Sequence, residues 1–213
     1  MRVLPHIGDE PVALEVSKCL ARINVMGCEG DIFDCDDMLV ESSEAHYRAM
    51  QTAAAAQGFS IARDWYEART GLDRRSLFNE LQSDVAASVD VNQAVDDSIS
   101  AFALHKALVQ PIAETGLLLD ALKASGYRIA VATNAERSVA LQSLTAVGHA
   151  DKVDALVSIT DGVPPKPSPS LFELAAERLG LGPDALCVIE DSPQGVAAAL
   201  AAGMPVFQVQ PGA

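Results

Sequence analysis

The chain has 213 residues, of which 49% are hydrophobic and 21% charged, a balance that belongs to a folded globular protein and excludes a disordered one. Its 29 acidic residues against 15 Lys and Arg leave a formal charge of −14, which argues against a nucleic-acid or anionic-lipid surface and means that an anionic ligand needs a local cation. The cysteines Cys19, Cys28, Cys35 and Cys187 make no C-x-x-C pair or zinc pattern, so reduced, mostly buried thiols in a cytoplasmic protein are the simplest account; no apolar run is long enough for a membrane span, and the first residues lack a signal-peptide core.

Along the chain, residues 12–23 (VALEVSKCLARI) suit either a short helix or a strand. The stretch IFDCDDMLVE (32–41) runs from apolar residues into crowded acids, as if a strand ended at Asp34 with Asp36 and Asp37 just beyond. Residues 43–57 form a helical pattern closed by Gly58, and from 60 to about 110 the pattern stays helical and nowhere strand-like, until Pro111. Then the character changes. A helix over 115–126 precedes a strand over 127–133, a helix over 138–148 and a strand over 155–159. A helix over 170–180, with Ser170 and Glu173 spaced as a capping box, precedes a strand over 185–190. Ser192 as N-cap and Pro193 at the first turn open the next helix, Gly203 ends it, and the last strand covers 205–209.

Strands alternating with helices predict an α/β fold: a Rossmann-like parallel-sheet core with an inserted all-helical cap domain. The core would be residues 1–44 and 112–213, and the cap residues 45–111. In such a sheet ligands bind at the carboxyl ends of the strands. Each strand exit here presents a reactive group: Asp34 and Asp36 after the first, Thr133-Asn134 after the second, Lys166 in the loop after the third, Glu190-Asp191 after the fourth. Taken singly, these residues have bland readings as turn formers, helix caps or solvated surface charges. Their joint arrival at four successive strand exits points to a site.

Carboxylates this close need a counter-charge. Oxygen donors with one Lys and no His pair fit Mg²⁺ better than zinc. Asp34 could attack phosphorus and form an aspartyl-phosphate, and Asp36 could protonate the leaving oxygen and then activate water. Thr133 could donate to the phosphoryl oxygens, Lys166 could neutralise their charge, and Asp191 could hold the metal with Glu190 behind it.

At these residues the chain resembles the haloacid dehalogenase-like superfamily. FDCDDMLVES, VATN, KPSPS and IEDSPQG are similar to its four motifs, over about residues 31–209, and within it the β-phosphoglucomutase-like branch fits best. The resemblance implies Mg²⁺-dependent hydrolysis of a small phosphorylated metabolite, of the sugar phosphate or phosphoglycolate type. Asp34 would be the nucleophile and Asp36 the acid/base, with Mg²⁺ on the Asp34 carboxylate, the Asp36 carbonyl and Asp191. It also puts Asn134 on the substrate side and makes GLDRRSLF (71–78) a specificity loop, with Arg74 or Arg75 as a phosphate clamp or an exposed helix-start Arg. His46 and Ser42 fall where relatives place residues that close the cap, although His46 could equally sit on a helix surface.

The chain departs from the pattern in several places. Asp37 stands where Gly is usual and is expected to be a bystander; Ser170 stands where Asp is common. The strand before Asp34, in MGCEGDIF, carries two glycines and two acids. Residues 1–24 have no counterpart, and a closing helix after the last strand is expected to be missing. The rival readings are a phosphosugar mutase, which needs a cap Lys that Lys106 reaches only a few positions late, and a non-catalytic binding protein on the same fold. A dehalogenase is disfavoured because it has no use for Asp36. The oligomeric state is left open.

Overall fold

The computed structural model describes residues 2–5, 12–13, 16–85 and 88–210. It begins with strands β1 (Arg2–Pro5) and β2 (Val12–Ala13), helix α1 (Val16–Val25) and strand β3 (Gly30–Phe33). A short strand β4 (Val40–Glu41) leads into four helices: α2 (Ser43–Ala56), α3 (Arg63–Glu67), α4 (Arg74–Val85) and α5 (Val91–His105). Strand β5 (Gln110–Pro111) returns the chain to α6 (Ala113–Ala124), β6 (Arg128–Thr133), α7 (Arg137–Ala146) and β7 (Ala155–Ser158). Then follow α8 (Ser170–Leu179), β8 (Leu186–Glu190), α9 (Pro193–Ala201) and β9 (Val206–Gln210).

The main sheet has the order β2-β1-β9-β8-β3-β6-β7. The strands from β9 to β7 are parallel, and β1 is antiparallel to β9. Alternate residues of the parallel strands feed two apolar layers, because successive side chains leave opposite faces. Phe33, Val131, Cys187 and Ile189 pack with α1, α6 and α7 on one face. Ile32, Ala130, Ala132 and Val188 pack with α8 and α9 on the other. Tyr47, Met50, Tyr66, Leu77, Phe78 and Leu81 build a separate apolar cluster among α2 to α5. No helix among the described residues is long and apolar enough to cross a membrane.

Local details depart from expectation. The acid- and glycine-bearing strand β3 is the middle one of the five parallel strands, held by its two parallel neighbours rather than by its own composition. Gly30 is required there: a Cβ would lie 2.7 Å from the Arg128 carbonyl oxygen and 2.8 Å from Leu181 Cδ1. Asp31 is fully buried with neither carboxylate oxygen partnered, and burial pushes its carboxyl well above the usual carboxylate range. The expected capping box at Ser170 does not form. Pro169 is the N-cap, and Ser170 shares a hydroxyl hydrogen bond with Ser168 at 2.9 Å instead. The end of the helical block does contain strand: Gln110–Pro111 pairs antiparallel with Val40–Glu41, and the two form a short ribbon where the chain enters and leaves the helical block. The N-terminal region, left open between helix and strand, supplies both, and α1 packs against α6.

Candidate active site

The carboxyl ends of β3, β6 and β8 open into one cavity of about 290 Å³, roofed by α2 and α4. Its wall includes Asp34, Asp36, Ser42, His46, Arg74, Thr133, Asn134, Lys166 and Asp191. Lys166 Nζ donates to Asp34 Oδ1 at 2.5 Å and to Glu190 Oε1 at 2.7 Å. The two carboxylates hold this buried ammonium above the ordinary lysine value, although burial opposes them. For Asp34 the balance runs the other way. Burial raises its carboxyl well above the usual range, Lys166 pulls it down, and Glu190, Asp191 and Asp36 push it further up. Asp191 is pushed up to about 7 by burial, Glu190 and Asp37.

Asp36 behaves differently. Burial would raise it, but His46, Ser42 and Arg74 more than offset that and hold it below the usual range. Ser42 Oγ donates to its Oδ1 at 2.5 Å, and His46 Nε2 lies 3.0 Å from the same oxygen. Ser42 is also the N-cap residue of α2, and it makes no capping hydrogen bond because its hydroxyl serves Asp36. Arg74 Nη2 meets His46 Nδ1 at 2.8 Å; as arginine only donates, the other ring nitrogen is the one that carries the proton toward Asp36.

Asn134 acts as a joint. Its Nδ2 donates to the Gly71 carbonyl of the cap at 3.1 Å and to the Lys166 carbonyl at 3.3 Å, and its Oδ1 accepts from the Lys166 N–H at 2.8 Å. Thr133 Oγ1 accepts from the Ala135 N–H at 3.0 Å and lines the cavity.

Two expected residues are not brought to the cavity as ligands. Asp73 accepts from the Ser76 N–H at 3.1 Å and starts α4 so that Arg74 turns inward. Arg75 then faces out, donating to Asn92 Oδ1 at 2.9 Å, exposed. Glu190, grouped with the metal site behind Asp191, has both its oxygens used: Oε1 on Lys166, Oε2 on the Ser192 N–H at 2.7 Å and hydroxyl at 3.0 Å. Its side chain fills the space beside Gly195, where a Cβ would sit 1.6 Å from Oε1.

Asp37, expected to be a bystander, lines the cavity and accepts from Ser43 Oγ at 2.9 Å. Its φ of +58° lies in the left-handed region, which Asp tolerates better than most residues and which explains the usual Gly. Sequence reasoning missed Glu136, at the start of α7; its carboxylate accepts from Arg74 Nε at 2.7 Å. No local pattern marks it, because its partner is on the cap.

The residues present fit a divalent cation. Burial first and the neighbouring acids second raise both Asp34 and Asp191, and apart from the Lys166 ammonium, which cannot ligate while charged, the acidic side chains beside them offer oxygen. Among the described residues, no three His, Cys, Asp or Glu side chains enclose a metal by themselves. Two carboxylates with a backbone carbonyl, completed by water and substrate, suit Mg²⁺, which keeps several waters.

A parallel sheet whose strand ends carry paired carboxylates and a buried lysine beneath a helical lid defines a capped α/β hydrolase. The family model described as haloacid dehalogenase-like hydrolase matches residues 32–209, and the chain belongs to that family, on its phosphatase branch. It is 35% identical to the protein CbbY of Rhodobacter capsulatus over 192 residues, 82% of either chain. To the fructose-1-phosphate phosphatase YqaB of Escherichia coli it is 29% identical over 188 residues, 85% of this chain and 96% of that one. Among solved structures, CbbY from Rhodobacter sphaeroides in complex with xylulose-(1,5)bisphosphate superposes with a TM-score of 0.76 at 23% identity, over 84% of either chain.

Proposed function

We propose that this protein is a Mg²⁺-dependent phosphatase that hydrolyses a small phosphate monoester, of the sugar phosphate or phosphoglycolate type, through an aspartyl-phosphate on Asp34. The observation that carries the reading is the contact of Lys166 Nζ with Asp34 Oδ1 at 2.5 Å, with Asp36 and Asp191 in the same cavity. Residues 1–44 and 112–213 act as the core and 45–111 as the cap, in a cytoplasmic enzyme. The similarity to a fructose-1-phosphate phosphatase supports this substrate class.

Lys166 offsets the charge of Asp34 and of the entering phosphoryl group, so two anions can approach each other. The Asp34 carboxylate attacks phosphorus as the ester P–O bond breaks. Asp36 delivers a proton to the leaving oxygen. His46, Ser42 and Arg74 hold its carboxylate below the usual range before substrate enters, so Asp36 takes up that proton from solvent as the incoming phosphate dianion raises its proton affinity. Asp36 then takes a proton from water, the water oxygen attacks phosphorus, and inorganic phosphate leaves with Asp34 restored. When bound to Asp34, Asp191 and the Asp36 carbonyl, Mg²⁺ would supply charge stabilisation of the phosphoryl oxygens. The mutase alternative loses support because Lys106 is exposed and does not line the cavity.

The test is phosphate release from a panel of sugar phosphates, phosphoglycolate, phosphogluconate and nucleotide monophosphates, with and without Mg²⁺. Magnesium-dependent release that disappears in Asp34→Asn is the expected result. A panel on which the wild-type protein releases nothing would overturn the reading in favour of a binding protein.

A further inference from the structure

Resting on that phosphatase reading, one feature of the cavity bears on the substrate. Arg74 is the only cap cation that lines it among the described residues. Its guanidinium is already committed: Nε to Glu136 Oε2 at 2.7 Å, Nη2 to His46 Nδ1 at 2.8 Å and Nη1 to Ser98 Oγ at 3.4 Å. The side chains of Arg74 and Glu136 are only 4% and 7% exposed, so water screens their pairing little. We propose that Glu136 sets charge specificity by neutralising Arg74, so that, of the two substrate types proposed above, the site favours neutral sugar or polyol phosphates over esters with a second anionic group such as phosphoglycolate.

The charge around the cavity carries this. Lys166 is matched by Asp34 and Glu190, and Arg74 by Glu136. Arg75, the other arginine of the specificity loop, is turned away to Asn92. The remaining charged groups in the wall are acids: Asp36, Asp37 and Asp191. A second phosphate or a carboxylate on the leaving group would be desolvated in a wall with no surplus positive charge, which is costly. A neutral polyol or sugar needs only hydrogen bonds and apolar contact, and Ser43, Thr70, Met50, Leu72 and Leu77 line the same space. Glu136 itself is outside the cavity wall and acts through Arg74, so it is a positioning residue rather than a catalytic one.

The experiment compares matched esters that differ by one carboxylate: glucose phosphate against gluconate phosphate, and glycerol phosphate against phosphoglycerate. The readout is the ratio of kcat/KM, neutral over acidic, with Mg²⁺ present. In the wild-type protein the ratio should be roughly tenfold or more, the scale of one unsatisfied charge-assisted contact. Glu136→Gln frees Arg74 and should lower the ratio by about tenfold. Arg74→Gln leaves Glu136 unopposed and should raise it, and the double substitution should return it toward wild type. A purely structural role for the pair would slow both esters alike and leave the ratio unmoved, which overturns the proposal. So does a wild-type preference for the acidic ester. If Glu136→Gln fails to fold, the Arg74→Gln and double variants still decide by the direction of the ratio. Calorimetry of the same esters on Asp34→Asn with Mg²⁺ separates the two readings. A binding ratio that moves with Glu136 while no ester is hydrolysed keeps this inference and removes the phosphatase. Hydrolysis with a ratio that neither variant moves does the reverse.

Discussion

Replacing Lys166 by Met is the most direct perturbation of the site. The ammonium is buried and touches both Asp34 and Glu190, at 2.5 and 2.7 Å. Removing it leaves two buried carboxylates without their counter-charge, a change that typically costs about 3–5 kcal/mol. For a chain of this size that corresponds to a fall in Tm of about 6–20 °C. The stabilising contribution is present at neutral pH: Lys166 is held above its unfolded value, so its charge is complete below that value and is lost only in strongly alkaline solution. Turnover should fall by about 100- to 1,000-fold, the scale of one lost electrostatic contact in a dry site. The pH profile gives an independent signature. Lys166 is the neighbour that pulls Asp34 down, so without it the carboxyl rises further and the acidic limb of residual activity moves to higher pH. Thermal melts and phosphate release across the pH range measure all three effects. A variant with wild-type Tm, turnover and pH profile would refute the central role given to this contact.

Other outcomes follow from the same geometry. Asp191 stands at about 7 without a cation, and Mg²⁺ must displace that proton; the Tm increase on adding Mg²⁺ should be small near pH 5.5, grow through about pH 7 and level off above it. A pH-independent increase would remove Asp191 from the ligand set. Asp31→Val should stabilise the protein by about 1–3 kcal/mol, since the buried carboxyl has no partner to lose. Because its folded pKa is raised, the native state holds the extra proton and the penalty grows as pH rises above the unfolded value; the gain in denaturant midpoint should be larger at pH 8 than at pH 4. Gly195→Ala places a Cβ 1.6 Å from Glu190 Oε1 and forces that side chain off Lys166, so both stability and turnover should drop, the former by about 1–3 kcal/mol, a fall in Tm of about 2–12 °C. Unchanged melting of this variant would mean that Glu190 has another place to go.

Much of the core could be read from residue order. The strand and helix after Gly126, the strand ending at Glu190, and the Ser192-Pro193 helix start depend on local periodicity and capping, and β6, β8 and α9 form there. Asp34, Thr133, Lys166 and Asp191 are legible for a related reason: each ends a strand or lies in the segment after one, and the parallel topology brings all these exits to one edge. Ser170 shows the limit even of local signals, since Pro169 takes the N-cap position and the capping box yields. The strand β3 shows the opposite case, where Gly30 and Asp31 weaken the local signal and parallel neighbours on both sides impose the strand regardless.

Sequence by itself determined the alternation of elements, the cap inserted after the first motif and the set of polar residues at strand exits, because these follow from short-range propensity and connection rules. Only the tertiary structure decided between Arg74 and Arg75, gave Glu190 to Lys166 and Ser192, turned Asp37 into the cavity and matched Arg74 to Glu136. Those choices depend on which side chains meet across packed helices: 62 residues separate Arg74 from Glu136 and 132 separate Lys166 from Asp34. At that separation no periodicity along the chain specifies a partner, and burial of the apolar faces brings the charged groups together.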